Sequence, residues 1–427
     1  MSKFGLQKMK PYPIYKPTNI DWIGEIPEHW SQRKVAWSFD LIGSGTTPKS
    51  DSDLYYENGT NNWLLTGDLN DGEIFETTKK ITDYAIIETS SLKKYPVNSV
   101  VIAMYGATIG KLGILKIETT TNQACCVLAK SFYFDHKYVF YWLLSSRESI
   151  INLSYGGGQP NINQEIVKGL RLTFPPLPEQ QAIVAFLDQK TALIDELIAK
   201  KERKIELLKE KRTALINHVV TKGLDPTVKY KDSGIDWIGE IPEHWEVSKV
   251  KWELIFHNNL RVPIEADKRG ERQGEYPYYG ASGIIDFVDD FIFDGEYILV
   301  GEDGANILSR STPLAFLASG KFWVNNHAHI LQVRKGQNKY FSMQIELNDF
   351  TTKASGSAQP KLTKEAIGEL ELVVPNISEQ QRIVEYLENQ TALIDQNISL
   401  ELQKIEKLKE YRQSLISNVV TGKIRVI

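Results

Sequence analysis

The ten-residue segment DWIGEIPEHW occurs twice in this chain, at residues 21–30 and 236–245. A longer pair of related segments occupies residues 179–223 and 379–423, at an offset of 200 instead of 215. The stretch between the repeated segments is therefore 15 residues shorter in the second copy. Because an internal repeat constrains architecture more than any local pattern, we predict one frame that encloses two different domains.

The longer repeated segments predict two long helices. Residues 179–220 contain no Gly or Pro, and their apolar residues recur at heptad spacing, which is typical of a coiled coil about 60 Å long. The rows are Leu187, Ile194, Leu208 and Leu215, and Ile198, Ile205 and Val219, each repeated 200 residues later. We expect the two helices to pack antiparallel with one domain at each end. Polar residues interrupt the rows at Lys201, Arg212, Glu401 and Arg412, which we expect to cluster or to face solvent.

The predicted fold class is α+β: two globular domains of the same α/β fold, joined by two long helices packed as an antiparallel coiled coil with pseudo-two-fold symmetry. The predicted boundaries are 1–175 and 225–374 for the domains with their repeated segments, and 176–224 and 375–427 for the helices.

Local patterns predict the elements inside the two domains. In the first, residues 100–116 suggest a strand, a Gly turn and a second strand, 119–130 another strand, and Tyr138 to Leu144 a helix. In the second, residues 297–308 take the place of the first hairpin. We align Asn326-His327-Ala328 with Asn122-Gln123-Ala124.

Charge and composition limit the classes of function. The net charge is −4, and residues 31–175 carry 14 basic against 14 acidic residues, so any nucleic-acid contact must come from local clusters or from a basic partner. No apolar run of 18 residues and no apolar signal segment occurs, and Cys125 and Cys126 are adjacent, which excludes a disulfide framework. We expect a cytoplasmic protein without a membrane span.

Motifs of catalysis are absent or incomplete. The segment GSGTTPKS (43–50) has Pro48 where a phosphate loop needs Gly, and FPPL (174–177) has Phe174 where an adenine methyltransferase needs a polar residue. His327 and His329 lie on one face of a predicted strand, but no third metal ligand accompanies them. We predict no catalytic residue, no cofactor site and no metal site in this chain.

The organisation resembles the specificity subunit of type I restriction-modification enzymes. The resemblance rests on PPLPEQQAIVAFLDQKTALID (175–195) and PNISEQQRIVEYLENQTALID (375–395). In the first domain it also rests on GTTPKS, GDLNDGEI, YGATIGK and TNQACC, and in the second on YPYYGASGIIDFVDD, GEDGA and NNHAHIL. It covers essentially the whole chain.

The resemblance implies a non-catalytic DNA reader. Each domain would be a target recognition domain that reads one half of an asymmetric bipartite sequence in double-stranded DNA. The helices would space the halves and dock two methyltransferase subunits that carry S-adenosylmethionine. Motor-endonuclease subunits, with ATP and Mg²⁺, would complete the complex.

Candidate base-reading residues are polar side chains in predicted loops, because base edges in the major groove present hydrogen-bond donors and acceptors. In the first domain they are Thr46, Thr47, Lys49, Lys111, Asn122, Gln123, Gln159 and Asn161. In the second they are Arg261, Arg269, Arg272, Arg310, Asn325, Asn326, His327, Gln359 and Lys361.

Two alternatives remain open on the sequence alone. One is a coiled-coil scaffold without sequence-specific DNA binding. The other is a stand-alone nuclease or methyltransferase, against which the missing cofactor motifs count.

Overall fold

The computed structural model describes residues 10–50, 52–154, 161–351, 353–354 and 360–426. The chain divides into two compact units, and each long helix contributes to both. Unit 1 comprises Met1–Lys201 and Gln403–Ile427, and unit 2 comprises Glu202–Leu402. No helix among the described residues is long and apolar enough to cross a bilayer.

Unit 1 contains short strands and short helices around a five-stranded sheet. Its strands are Tyr15–Pro17, Glu25–Pro27, Ser31–Lys34, Leu41–Gly43, Asn61–Leu64, Gly72–Ile74, Lys79–Ile81, Val100–Ala103, Leu112–Leu115, Thr120–Thr121, Cys125–Ala129 and Arg171–Phe174. Its short helices are Val35–Trp37, Asp53–Tyr55, Thr66–Asp68, Asp83–Glu88, His136–Ser145, Arg147–Ile151 and Gln164–Gly169. The strands at 100–103 and 112–115 and the helix at 136–145 confirm the predicted hairpin and helix. The predicted strand 119–130 is two strands separated by a turn.

Unit 2 has longer strands in a six-stranded sheet. Its strands are Tyr230–Asp232, Glu240–Pro242, Glu246–Lys249, Leu254–Phe256, Gln273–Gly280, Gly283–Val288, Phe293–Gly301, Ala315–Val324, Ala328–Val333 and Glu371–Val374. Its short helices are Val250–Glu253, Asn258–Leu260, Ala266–Glu271, Asn306–Ser309, Asn338–Leu347 and Lys364–Gly368. Residues 297–308 are therefore the end of a strand, a turn and a short helix, and the hairpin closes only with the strand 315–324.

The core sheets of the two domains have the same strand order. In unit 1 the strands 41–43, 125–129, 100–103 and 112–115 are neighbours in that order, and in unit 2 the strands 254–256, 328–333, 293–301 and 315–324 repeat it. Each unit also has a parallel strand pair, which joins Thr120 to Trp63 in a separate three-stranded sheet of unit 1 and Trp323 to Tyr278 within the six-stranded sheet of unit 2. One fold with two surfaces, as predicted, is confirmed.

Adjacent residues of the strand 125–129 serve two different cores, because successive side chains of a strand point to opposite faces of its sheet. Cys125 lies in the smaller cluster with Val101 and Tyr95, and Cys126 lies in the main core of unit 1. Burial raises the pKa of both thiols to about 12, so neither is a reactive thiolate near neutral pH.

The long helices span Leu177–Lys222 and Ile377–Val420, which we call the central helix and the C-terminal helix. In unit 1 the start of the central helix, at Ile183 and Leu187, shares a core with Val419 and Val420 at the end of the C-terminal helix. In unit 2 the end of the central helix shares a core with the start of the C-terminal helix. The antiparallel pairing is thus confirmed within each unit.

Ion pairs between the helices account for three of the four polar interruptions in the heptad rows. Within unit 1, Arg412 Nε lies 2.9 Å from Asp195 Oδ1, and within unit 2, Arg212 Nε lies 3.2 Å from Asp395 Oδ1. Glu401 is buried and accepts a hydrogen bond from Lys204 Nζ at 2.9 Å. The Glu401 carboxylate is therefore paired between the two helices and does not face solvent.

The segment DWIGEIPEHW ties the start of one helix to the end of the other within each unit. His29 bonds to Glu179 and His244 to Glu379, both at 2.9 Å, where the two helices begin. The preceding tyrosines reach the opposite helix ends: Tyr15 Oη donates to the Gly422 carbonyl at 3.1 Å and Tyr230 Oη to the Lys222 carbonyl at 3.3 Å. The equivalent bonds from His29 and His244 give this histidine of the repeated segment the same role in both units.

Tyr138 is expected to stabilise unit 1 by joining three elements. Its buried hydroxyl shares its one proton between the carbonyls of Thr173, at 2.9 Å, and Val420, at 3.2 Å. Tyr138→Phe leaves these buried acceptors short of a donor, so urea unfolding is expected to show a loss of about 1–3 kcal/mol. Tyr133→Phe, at an exposed ring, is the control and is expected to change nothing. An unchanged free energy of unfolding for Tyr138→Phe would contradict this role.

Removing residues 403–427 is expected to unfold the core of unit 1 while unit 2 keeps its structure. Four buried residues of the main core of unit 1, Leu415, Ile416, Val419 and Val420, come from this segment, whereas unit 2 ends at Leu402. Hydrogen exchange of the truncated chain measures this directly. Fast exchange confined to unit 1 is the expected result, and retained protection there would show that the segment is dispensable.

Candidate nucleic-acid interface

Four segments of unit 1 meet at one end of its core sheet, and we call them the first loop cluster: residues 44–49, 104–111, 122–124 and 161. Thr47 Oγ1 donates to Gln123 Oε1 at 2.8 Å, which joins the loop after the first core strand to the turn before the strand 125–129. The Asn122 carboxamide accepts the Ala124 amide at 3.1 Å and closes that turn. Tyr105 and Asn161 form an isolated antiparallel β-bridge through their backbones. The cluster brings together Thr46, Thr47, Asn122, Gln123 and Asn161 of the predicted residues.

A close backbone approach holds the first loop in place. The Gly45 amide donates to Thr121 Oγ1 at 2.9 Å, and a Cβ on Gly45 would lie 1.7 Å from the Thr121 carbonyl oxygen. Only Gly allows this contact. The glycine at position 45 therefore serves close packing against the strand that contains Thr121.

The equivalent segments of unit 2 form the second loop cluster: residues 257–262, 302–305, 325–327 and 360–361. The Asn325 carboxamide accepts the His327 amide at 2.8 Å, as Asn122 does for Ala124. Asp303 and Lys361 form an isolated antiparallel β-bridge through their backbones, as Tyr105 and Asn161 do in unit 1. Arg261, Asn325, Asn326, His327 and Lys361 of the predicted residues meet here.

Backbone hydrogen bonds correct the predicted alignment of the two turns by one residue. The Met104 amide donates to the Ala124 carbonyl, and the Glu302 amide donates to the His327 carbonyl, each at 2.8 Å. Asn122 therefore corresponds to Asn325, and Ala124 to His327, so the alignment of Asn326-His327-Ala328 with Asn122-Gln123-Ala124 is wrong. The letters NQA and NHA matched in sequence, but the turn-closing Asn sets the register.

The second loop cluster contains a buried charged network around Glu302. Arg261 forms an ion pair with this carboxylate, and Lys361 Nζ lies 3.0 Å from its Oε1. Arg261 also donates to the carbonyls of Asn326 and Ala328. Burial acts to raise the pKa of Glu302, but the hydrogen bonds from Arg261 and Lys361 outweigh it and lower the pKa. Arg261 thus braces the turn that carries Asn326 and His327.

Both ring nitrogens of His329 form hydrogen bonds within unit 2. Its Nε2 donates to the Leu362 carbonyl at 2.9 Å, which leaves Nδ1 to accept from the Asn258 side-chain Nδ2 at 2.7 Å. Burial lowers its pKa, which favours this neutral ring. Among the residues described, no group of three or more His, Cys, Asp or Glu side chains has metal-binding geometry.

Three predicted arginines lie outside the second loop cluster and are engaged within unit 2. Arg269 pairs with Asp286 at 3.1 Å and Arg272 with Asp289 at 2.8 Å, and both lie over aromatic rings. Arg310 pairs with Glu346 at 2.7 Å. Burial raises the pKa of Glu346, and the Arg310 guanidinium opposes that shift. These contacts give each guanidinium a role in the fold.

The remaining predicted residues are less closely connected. Lys111 is exposed at the end of the turn 104–111, where its carbonyl accepts the Ala103 amide at 2.8 Å, and Lys49 is exposed beyond Thr47. Gln159 and Gln359 lie outside the described residues. As base contacts, all the candidates stay predictions.

Sequence reasoning missed one pair of equivalent positions that differs between the two clusters, Tyr105 and Asp303. His327 Nδ1 lies 2.9 Å from each carboxylate oxygen of Asp303. Both residues sit in motifs noted in the sequence, YGATIGK and GEDGA. Their common place two residues after the end of a core strand was the available signal.

Comparison with known proteins agrees with this two-domain organisation. The type I restriction modification DNA specificity domain matches the chain twice, over residues 27–207 and 242–410. A putative type I restriction enzyme specificity subunit of Haemophilus influenzae is 34% identical over 35% of this chain and 39% of its own length. The MjaVIII specificity subunit of Methanocaldococcus jannaschii is 24% identical over 94% of each chain.

A solved structure supports the fold. It belongs to work on complex assembly and conformational transition of the type I R-M system, and it superposes with a TM-score of 0.71 at 12% identity. The match covers 93% of this chain and 99% of that one. With both specificity domains matched and most of the chain covered, this chain belongs to the type I restriction modification DNA specificity family.

Proposed function

We propose that this chain is a non-catalytic reader of double-stranded DNA in which each loop cluster recognises one half of an asymmetric, bipartite target. The supporting observation is that one backbone frame carries different side chains in the two clusters. Tyr105, Gln123 and Asn161 in unit 1 stand where Asp303, Asn326 and Lys361 stand in unit 2. Base edges are distinguished by their donors and acceptors, so unlike side chains in like positions select unlike sequences.

The paired charges of the second loop cluster are consistent with a DNA-recognition protein that acts within a larger complex. Within the second loop cluster the basic side chains Arg261 and Lys361 already neutralise Glu302. A module of this kind makes few phosphate contacts of its own, and phosphate contacts supply most of the non-specific affinity for DNA. We propose that methyltransferase subunits carrying S-adenosylmethionine supply that affinity, and that motor-endonuclease subunits use ATP and Mg²⁺ beside them.

Exchange of one domain tests the proposal. Replacing residues 246–374 with the equivalent segment of a relative is expected to change one half of the methylated motif and to leave the other half intact. Methylation mapping in cells that also express the partner subunits gives the readout. A change in both halves, or in neither, would contradict modular reading. Methylation without a common sequence motif would favour a scaffold without sequence-specific DNA binding. Methyl transfer by the purified chain alone would favour a stand-alone enzyme.

Exposed apolar residues that recur between the units mark a surface for a partner present in two copies. Trp37 and Trp252 occupy equivalent positions after the third strand of each unit, with 63% and 65% of their surfaces exposed. Leu193 and Leu393 recur in the same way on the long helices. Packing does not require an exposed Trp, and an asymmetric DNA target does not explain an identical one. We propose that each surface docks one methyltransferase subunit.

Single substitutions are expected to remove one partner copy at a time. Trp37→Ala is expected to weaken one of the two methyltransferase sites by about 30-fold, as a buried interface Trp contributes about 2 kcal/mol or more. Native mass spectrometry at limiting partner concentration would then show one bound copy, and the double variant with Trp252→Ala would show none. Phe132→Ala is the matched control, because Phe132 is 83% exposed and has no apolar counterpart in unit 2. Two bound copies in both Trp variants would contradict this docking surface.

A further inference from the structure

The second loop cluster holds an aspartate–histidine pair that the first lacks. His327 corresponds to Ala124, and Asp303 corresponds to Tyr105, by the backbone bonds that define the two frames. The pair is therefore a property of the second domain alone. Any recognition that depends on it concerns only the half-site that this domain contacts.

The geometry settles which ring nitrogen carries a proton. His327 Nδ1 lies 2.9 Å from both Asp303 carboxylate oxygens, and a carboxylate only accepts hydrogen bonds. Nδ1 therefore donates, and in the neutral ring Nε2 is left with an unprotonated lone pair. Among the described residues none bonds to Nε2, and 47% of the His327 side chain is exposed. The neutral ring therefore presents a hydrogen-bond acceptor at the surface of the cluster.

The ring is held by its surroundings as well as by Asp303. The His327 amide donates to the Asn325 carboxamide, and its carbonyl accepts from the Glu302 amide, so the backbone is held on both sides. Glu302 in turn is held by Arg261 and Lys361. Asp303 keeps only 20% of its side chain exposed, so its charge is directed at the imidazole. A side chain held in this way loses little conformational freedom on binding.

We propose that Asp303 holds His327 in the tautomer whose Nε2 accepts a hydrogen bond from a base amine in the major groove. The bases that offer an amine there are adenine, at N6, and cytosine, at N4. Asp303 acts as a positioning residue and His327 as the specificity-determining residue. This inference rests on the proposed function, and it predicts adenine or cytosine at one position of the half-site that unit 2 reads.

A duplex panel tests the pair. The complex of full-length chain and methyltransferase subunits is titrated with duplexes in which each half-site base pair is changed in turn, and binding is followed by fluorescence anisotropy. The wild type is expected to discriminate amine-bearing from keto-bearing bases at one position by roughly 10-fold or more, as single base contacts do. His327→Ala is expected to abolish this discrimination. Asp303→Ala, which frees both tautomers, is expected to reduce it by a similar factor.

The controls separate this inference from the proposed function and from a loss of fold. Asp294→Asn removes an exposed carboxylate elsewhere in unit 2 and is expected to leave all preferences unchanged. Retained discrimination at the other positions of the half-site that unit 2 reads shows that unit 2 of each variant is folded. An equal loss across all duplexes, or an unchanged preference in both variants, overturns this inference alone. A wild-type complex without any sequence preference overturns the proposed function, and the inference with it.

Discussion

The architecture depends on the antiparallel pairing of two long helices that belong to different repeats. Within each unit the start of one helix packs against the end of the other, and the domain of that unit packs against both. Tyr138 bonds to the last turn of the C-terminal helix, and Tyr340 bonds in the same way to Val220 of the central helix. Neither unit is therefore complete without a piece of the other repeat.

This interdependence explains the distribution of identity along the chain. The segments that repeat closely, 21–30 with 236–245 and 179–223 with 379–423, place an equivalent histidine–glutamate bond in both units. Glu179 and Glu379 each accept from a histidine of the repeated decapeptide, and Tyr12 Oη adds a 2.6 Å bond to Glu179 in unit 1. The core strands need only apolar side chains of suitable size, so their letters diverge while their order is kept. The loops at the end of the sheet are free to differ.

The two long helices and the shared fold could be predicted from the sequence. Heptad periodicity marks the helices, and the internal repeat marks the shared fold. Heptad spacing in residues 179–220 is a local pattern that a single segment displays in full. The partners of Arg269, Arg272 and Arg310 leave no such signal, since Asp286, Asp289 and Glu346 lie 17 to 36 residues away. Residue type alone marked these arginines as candidate DNA contacts, whereas long-range pairing engages them in the fold. The one-residue error at His327 has the same origin, because a backbone bond to Glu302 decides that register.

The central claim is that two unlike loop clusters on one frame read two unlike half-sites. Genome-wide mapping of methylated adenines, in cells that express this chain with its partner subunits, tests it most directly. We predict a single interrupted motif whose two specified halves differ in sequence and carry one methylated adenine each. A palindromic motif, an uninterrupted motif or methylation without a motif would contradict the claim.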